Sequence, residues 1–334
     1  MEGGKTLDQK FFLAANSGQG FVSCYAGFPA EPHFLHIIKG GPGTGKSGFM
    51  KQIRAAAQER GVDTVSILCS GDPDSLDGLS IPALGLAWVD GTAPHTREPE
   101  LFGADADYVN LGRFCRLPLS ENDSARARAL NREYKARYKA AYGKLAAAAA
   151  LEKAEELPDA AVTREEEARV RAILDALPDR ESIPDAAPDQ AACNCERRFI
   201  SAISCAGELC LEETVNSLCK QNYWLRGGSA VLEQAAVWAE RKTAHVIRCP
   251  RPLCPDQLEA VLLPATGIAL RRAPAPIAVP AGERASSRAA LADGIEELRA
   301  AKALHDKLEA VYRPYMDFAA LTAYTDETVE KLFG

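Results

Sequence analysis

The feature that most constrains this chain is a glycine-rich stretch, Gly40-Gly41-Pro42-Gly43-Thr44-Gly45-Lys46-Ser47, set between two patterns of different period. Before it, Phe34 to Lys39 (FLHIIK) is a short, mostly apolar, β-prone run. After it, Phe49-Met50, Ile53 and Ala56-Ala57 recur at helical spacing as far as Gly61, a residue suited to ending a helix. Strand, glycine turn and helix in that order fit the pattern GxxxxGK[ST] and call for an α/β layer. Glycines let successive backbone N–H groups converge on phosphate oxygens, and the helix N-terminus adds a favourable dipole. On this pattern Gly40, Gly41, Pro42, Gly43, Thr44 and Gly45 are the cradle. Lys46 is the point charge for β- and γ-phosphates, and Ser47 offers its hydroxyl to Mg2+.

Val65 to Cys69 and Leu84 to Val89 read as two further strands, so the order β-turn-α-β-β predicts a mostly parallel sheet. Asp90 closes the third strand, where a carboxylate that holds Mg2+ belongs; Gly91 follows it, so a strand-ending Asp-Glu pair is absent. Asp72, Asp74 and Asp77 fall in a polar loop (SGDPDSLDG) past the second strand, on the side where open α/β sheets bind ligands. They are candidates for positioning metal, water or an acceptor hydroxyl, or are plain turn residues. Thr92 and His95 follow Asp90 closely enough to reach a γ-phosphate, with His95 a proton shuttle or a surface-loop histidine. Among Arg113, Arg116, Arg126, Arg128 and Arg132, Arg113 is the candidate for neutralising developing phosphoryl charge. A solvated helix face accounts equally well for the last three.

The 334 residues, 47% of them hydrophobic, exclude a wholly disordered chain and allow two domains. With 39 basic and 46 acidic side chains the formal charge is −7, which gives no reason to expect a nucleic-acid partner. Apolar runs are too short to span a bilayer and the N-terminus has no leader-like pattern, so no membrane partner and a cytoplasmic location are expected. Of ten cysteines, seven lie between Cys193 and Cys254 without paired CxxC spacing, as reduced thiols would. Cys193 and Cys195, in what reads as a polar linker, are the pair to examine for redox or metal chemistry.

Residues 124–157 hold one breaker, Gly143, and are dense in Ala, Arg, Lys, Glu and Leu, which predicts a long helix; Arg164 to Leu177 predicts a second. Together they suggest a helical hairpin over about 121–177, followed by a Pro/Asp/Ala-rich linker from Pro178 to Cys195. The second half then echoes the first. At an offset of 187, Phe12 falls on Phe199 and Ile37-Ile38 on Trp224-Leu225; beyond the glycine stretch the offset drops to about 180. That lays Cys69 on Cys249, Ile81-Pro82-Ala83 on Leu263-Pro264-Ala265, Ala93-Pro94 on Ala275-Pro276 and Tyr142 near Tyr312. About seven residues vanish where the glycine loop stands, leaving Arg226-Gly227-Gly228-Ser229. The expectation is therefore a nucleotide-binding unit over 1–185 and a degenerate copy over 197–334 without a phosphate cradle.

IIKGGPGTGKSGFMKQI, LCSGDPDSLDGLSIP, LAWVDGTAPH and VNLG together resemble a group of duplicated bacterial P-loop proteins of Firmicutes type, described as ATPases or nucleotide-kinase-like proteins. The resemblance spans nearly the whole chain and implies a P-loop NTPase fold. By family pattern the site is the loop from Gly40 to Ser47 with Asp77, Asp90, Thr92 and His95. The second half of that family often keeps its own loop, from which this chain departs at Arg226 to Ser229. There is also a partial likeness to adenylate-kinase-type enzymes, whose third strand ends Asp-Gly-x-Pro-Arg; here Asp90 to His95 lacks the arginine. The resemblance implies ATP and Mg2+ as cofactors and hydrolysis at one site. Phosphotransfer to a small-molecule or nucleotide acceptor, and a non-catalytic ATP-dependent switch acting on a protein partner, are the alternatives.

Overall fold

In chain order the first half forms β1 (Asp8–Phe12), a hairpin of β2 (Ala14–Ser17) and β3 (Gly20–Ser23), β4 (Phe34–Lys39) and α1 (Lys46–Glu59). It continues with β5 (Thr64–Leu68), β6 (Leu76–Ile81), β7 (Leu86–Asp90) and β8 (Ala106–Asn110). These are elements of a computed structural model that describes residues 6–29, 33–94, 96–155, 160–177, 193–273 and 281–334. The sheet runs β1-β5-β6-β7-β4-β8. Its pairs are parallel except at β6, which is antiparallel to both neighbours, so the sheet is mixed. Asp77 lies within β6 and not in the polar loop expected from the sequence. The connections on either side of β6 are too short for a crossover, so the strand turns back as a hairpin. It is buried along its whole length despite Asp77 and Ser80.

After α2 (Glu121–Glu155) and α3 (Ala160–Asp175) the pattern returns as β9 (Asn194–Arg197), a hairpin of β10 (Ser201–Ser204) and β11 (Gly207–Cys210), α4 (Glu212–Leu218) and β12 (Gln221–Leu225). Then come α5 (Gly228–Lys242), β13 (His245–Pro250), β14 (Leu258–Leu263), β15 (Ile268–Arg272), α6 (Ala281–Tyr312) and α7 (Phe318–Phe333). The second sheet, β12-β15-β14-β13-β9, repeats the first without a counterpart of β8, again with one antiparallel strand, β14. Phe12 and Phe199 meet each other across the halves, exchanging N–H···O bonds of 2.9 and 2.8 Å. Reciprocal contact between equivalent residues is the mark of an approximate two-fold relation. The inner faces of both sheets share one core, with Ile37, Ile67 and Val89 packed in the same cluster as Ile247, Ala260 and Leu262.

Local geometry fixes the correspondence. Bulges fall at Ile67/Leu68 and at Cys249/Pro250, and the turns at Pro82–Leu84 and Pro264–Thr266 end on left-handed Gly85 and Gly267. Ser47 Oγ accepts from Leu76 N at 2.9 Å as Ser229 Oγ accepts from Leu258 N at 2.8 Å. The offset beyond the glycine stretch is thus 182, so five residues are missing and not seven. Cys69 is matched by Arg251, not Cys249: their N–H groups make equivalent bonds to Ser75 and Gln257. The Ile81-Pro82-Ala83 equivalence holds, whereas Ala275 and Pro276 lie outside the described residues.

The helices do not form the expected hairpin. α2 and α6 run antiparallel along each other, with Ala141 and Leu145 against Leu298 and Ile295, and Ala127 against Leu308 and Val311. α3 packs on α5 of the second half through Val170 and Leu174, and α7 packs on α1 of the first through Leu321. Each half thus sends its last helix to the other. Thr163 covers Gly227 as Leu321 covers Gly45. That gives an offset of 158 along these helices, which makes Ala300, not Tyr312, the equivalent of Tyr142. Cys195 sits within β9 and Cys193 beside it, not in a linker. Among the described residues no helix is long and apolar enough to cross a membrane.

Candidate functional site

The glycine stretch joins β4 to α1 at the end of the sheet where β7 also finishes. Gly43 and Gly45 adopt φ of 69° and 83°, conformations that L side chains rarely take. Their neighbours reinforce the requirement. A Cβ on Gly45 would stand 2.6 Å from Leu321 Cδ2, and one on Gly43 would stand 3.2 Å from the Glu309 backbone oxygen. Thr44 Oγ1 donates to Gly41 O at 2.9 Å and ties the turn. The first N–H groups of α1 have no intrahelical acceptor and face positive-end first, an arrangement that favours an anion.

Beside this loop lies a cleft of about 840 Å³ lined by Gly40 to Gly48. Lys46 Nζ donates to the carbonyls of Gly40 (3.2 Å) and Gly41 (3.0 Å) and lies 3.7 Å from Asp90 Oδ2. Asp90 Oδ1 accepts from both Thr92 N (2.9 Å) and Thr92 Oγ1 (2.6 Å), which orients the carboxylate. Asp72, Asp77, Asp90 and Thr92 all line the cleft. Asp77 is buried in its wall; the Cys69 thiol and the Tyr25 phenol are held well above their usual ranges by their own burial first and by the neighbouring Asp77 charge second. Asp72 accepts from Ser75 Oγ at 2.9 Å and pairs with Lys302 at 3.5 Å.

Other expected residues lie elsewhere. Asp74 is exposed on the β5–β6 turn and does not line the cleft. His95 lies outside the described residues. Arg113 is stacked on Tyr324, 4.2 Å from the ring centroid, and on Phe114 at 4.7 Å, so its guanidinium is spent on α7 and not on the cleft. Arg116 donates to Pro314 O at 2.8 Å, and Arg126, Arg128 and Arg132 are exposed on α2. Cys195 donates to Glu240 and is pushed up to about 11 by burial, the opposite of an activated thiolate.

The far wall comes from α2 and α6. Tyr134, His305, Asp306, Glu309 and Arg313 line the cleft. His305, Glu309 and Arg313 stand four residues apart, one stripe of α6 and its end. That spacing was the only signal in the sequence; nothing in it said what the stripe would face. His305, Asp306 and Glu309 bring ligand atoms within 4.8 Å of one another. They join Ser47, Asp72, Asp77 and Asp90 among the side chains of the cleft that carry oxygen or nitrogen donors suited to a cation.

At the matching turn of the second half, Gly228 replaces Lys46 and Arg272 replaces Asp90, by the offset of 182. Arg226 occupies the turn, bonded to Glu166 at 2.9 Å and Glu165 at 3.1 Å. The Lys46–Asp90 pair therefore has no counterpart at the equivalent positions of the second half. No family model, curated protein or solved structure matches the chain.

Proposed function

We propose that the first-half cleft binds ATP with Mg2+ and cleaves its terminal phosphoanhydride bond, in the manner of a P-loop NTPase. The observation that carries this reading is the convergence of Lys46 and Asp90, 3.7 Å apart, beside a left-handed glycine turn at a helix N-terminus. In this reading Lys46 and the loop amides draw charge from the β- and γ-phosphates. Ser47 and Asp90 hold Mg2+, with Thr92 fixing the carboxylate. The resemblance of the loop and of the Asp77-to-His95 region to duplicated P-loop proteins points the same way. On this view residues 1–185 are the nucleotide-binding unit and 197–334 a degenerate partner.

A second reading, transfer to an acceptor hydroxyl, is favoured by Asp77 and Tyr134, which line the same cleft. One experiment tests both: γ-phosphate release from Mg·ATP, with and without a panel of small-molecule and nucleotide acceptors. Turnover indifferent to acceptors and lost in Lys46→Ala supports hydrolysis; acceptor-dependent turnover supports transfer. Tight ATP binding with no turnover under either condition overturns both in favour of a switch.

A further inference from the structure

We propose that Arg313, delivered by the second half of the chain, is a γ-phosphate ligand of the first-half site; the inference rests on the reading of that site as one for ATP. Three observations carry it.

The first is position. α6 lies directly on the glycine loop: the Glu309 backbone abuts Gly43, and a Cβ on Gly41 would stand 3.8 Å from the Tyr312 ring. Arg313 follows Tyr312 at once and lines the cleft. The backbone that follows it, from Pro314 to Asp317, is pinned to the first half. Arg116 N donates to Tyr315 O at 2.8 Å, Arg116 Nη2 donates to Pro314 O at 2.8 Å, and Asp317 N donates to Phe114 O at 2.8 Å.

The second is commitment. Among the described residues lining the cleft, Lys46 faces Asp90 at 3.7 Å and His305 faces Glu309 at 3.7 Å. Asp72 and Asp306 are both met by Lys302, at 3.5 and 2.5 Å. Arg313 makes no ion pair and no side-chain hydrogen bond with any described residue. A held backbone with an uncommitted guanidinium leaves only the side chain to be ordered when a phosphate arrives, and its planar fork suits that anion.

The third is the comparison between halves. The two-fold relation, with an offset of 158 along these helices, matches Arg313 to position 155, a glutamate. In the second half the cation at the turn, Arg226, already has its anions in Glu165 and Glu166 of α3. In the first half Lys46 faces Asp90, whereas Arg313 has no such anion among the described residues, although it lines the same cleft.

In the reaction, a water oxygen bonds to the γ-phosphorus while the bond to the bridging oxygen breaks. ADP leaves with that electron pair, and the water's proton ends on the released phosphate. Arg313 offsets the charge on the γ-phosphoryl oxygens. Guanidinium groups in this role accelerate phosphoryl transfer by about 10³–10⁵.

The test uses the full chain with Mg2+, measuring calorimetric affinity for ATP and for ADP alongside phosphate release. Arg313→Ala is expected to keep ADP affinity within about threefold, to cut the preference for ATP over ADP at least tenfold, and to slow turnover about 100-fold or more. Arg313→Lys should recover part of the ATP preference. If Arg313→Ala fails to fold, Arg313→Gln serves in its place. Wild-type protein that binds ATP, with both quantities within threefold in the variant, overturns this assignment alone. Wild-type protein that binds neither nucleotide overturns the ATP reading and the assignment with it.

Discussion

Lys46 Nζ stands 3.7 Å from Asp90 Oδ2, and both side chains are about six-sevenths enclosed, at 13% and 14% exposure. The two residues come from different elements, the start of α1 and the end of β7, and the parallel pairing of β4 with β7 aligns them. Two bonds from Thr92 hold the other Asp90 oxygen. If Asp90 carries Mg2+, Asp90→Asn should lower turnover about 100-fold while leaving metal-free ADP binding within a few-fold. Thr92→Ala loses only the hydroxyl bond, so it should raise the Mg2+ concentration for half-maximal rate several-fold with a smaller loss of rate. Phosphate release across a Mg2+ titration separates the two.

Gly45 and Gly227 are equivalent, with φ of 83° and 84°, and each faces a side chain that a Cβ would strike: Leu321 Cδ2 at 2.6 Å and Val231 Cγ2 at 2.7 Å. Alanine at either position should therefore destabilise the protein by about 1–3 kcal/mol, read from urea unfolding. Only Gly45→Ala should weaken ATP binding, since the turn at Gly227 has no Lys46 and its cation is already paired. Equal loss of ATP binding in the two variants would show that the halves share the site more evenly than their chemistry implies.

Much of this architecture is legible in the sequence because local signals agree there with the tertiary result. FLHIIK, the glycine turn and the Phe49–Ala57 periodicity became β4, the loop and α1, and the run with Gly143 as its one breaker became α2. β6 was hidden because Leu76-Asp77-Gly78-Leu79-Ser80-Ile81 carries polar residues at positions that only a covered central strand buries. The far wall of the cleft was hidden for a different reason. His305 and Arg313 reach the loop through pairing of α6 with α2, a contact between helices more than a hundred residues apart, and periodicity reports a face without its partner. Arg113 illustrates the same limit: its nearness in sequence suggested the cleft, but Tyr324 of α7 claims it. The Cys69–Cys249 identity is accidental, because the equivalent bulges at Ile67/Leu68 and Cys249/Pro250 set a register two residues away from it.

Asn16 ties the interface between the halves to the helix pair. Its Nδ2 donates to Ser70 O (3.1 Å) and Ile203 O (2.9 Å), and its Oδ1 accepts from Tyr142 Oη at 3.2 Å, with Asn16 itself 1% exposed. Asn16→Ala leaves two carbonyls and a phenol short of a partner and should cost about 2–4 kcal/mol. Tyr142→Phe removes one donor and should cost about 1 kcal/mol. The double variant should cost less than the sum, because the two singles remove the same bond. Strict additivity in urea unfolding would mean the Tyr142 bond contributes nothing.

Glu259 is the second-half counterpart of Asp77, and its carboxyl is pushed up to about 7, chiefly by burial, with the Ser201 hydroxyl bond and the charges of Arg251 and Arg271 opposing the rise. An acid whose folded pKa lies above its unfolded value binds more protons in the folded state. Its contribution is therefore fully present below the unfolded value, near 4.5, and is lost as pH rises through about 7. Ionising Glu259 in place should thus cost the fold on the order of 2–3 kcal/mol across that window. Glu259→Gln keeps the shape and an acceptor for Ser201 but cannot ionise. Its unfolding free energy should fall less than that of the wild type between pH 5 and about pH 8, and the difference between the two curves isolates this one group from the other titrations. Parallel curves would show that Glu259 is ionised, and compensated, throughout.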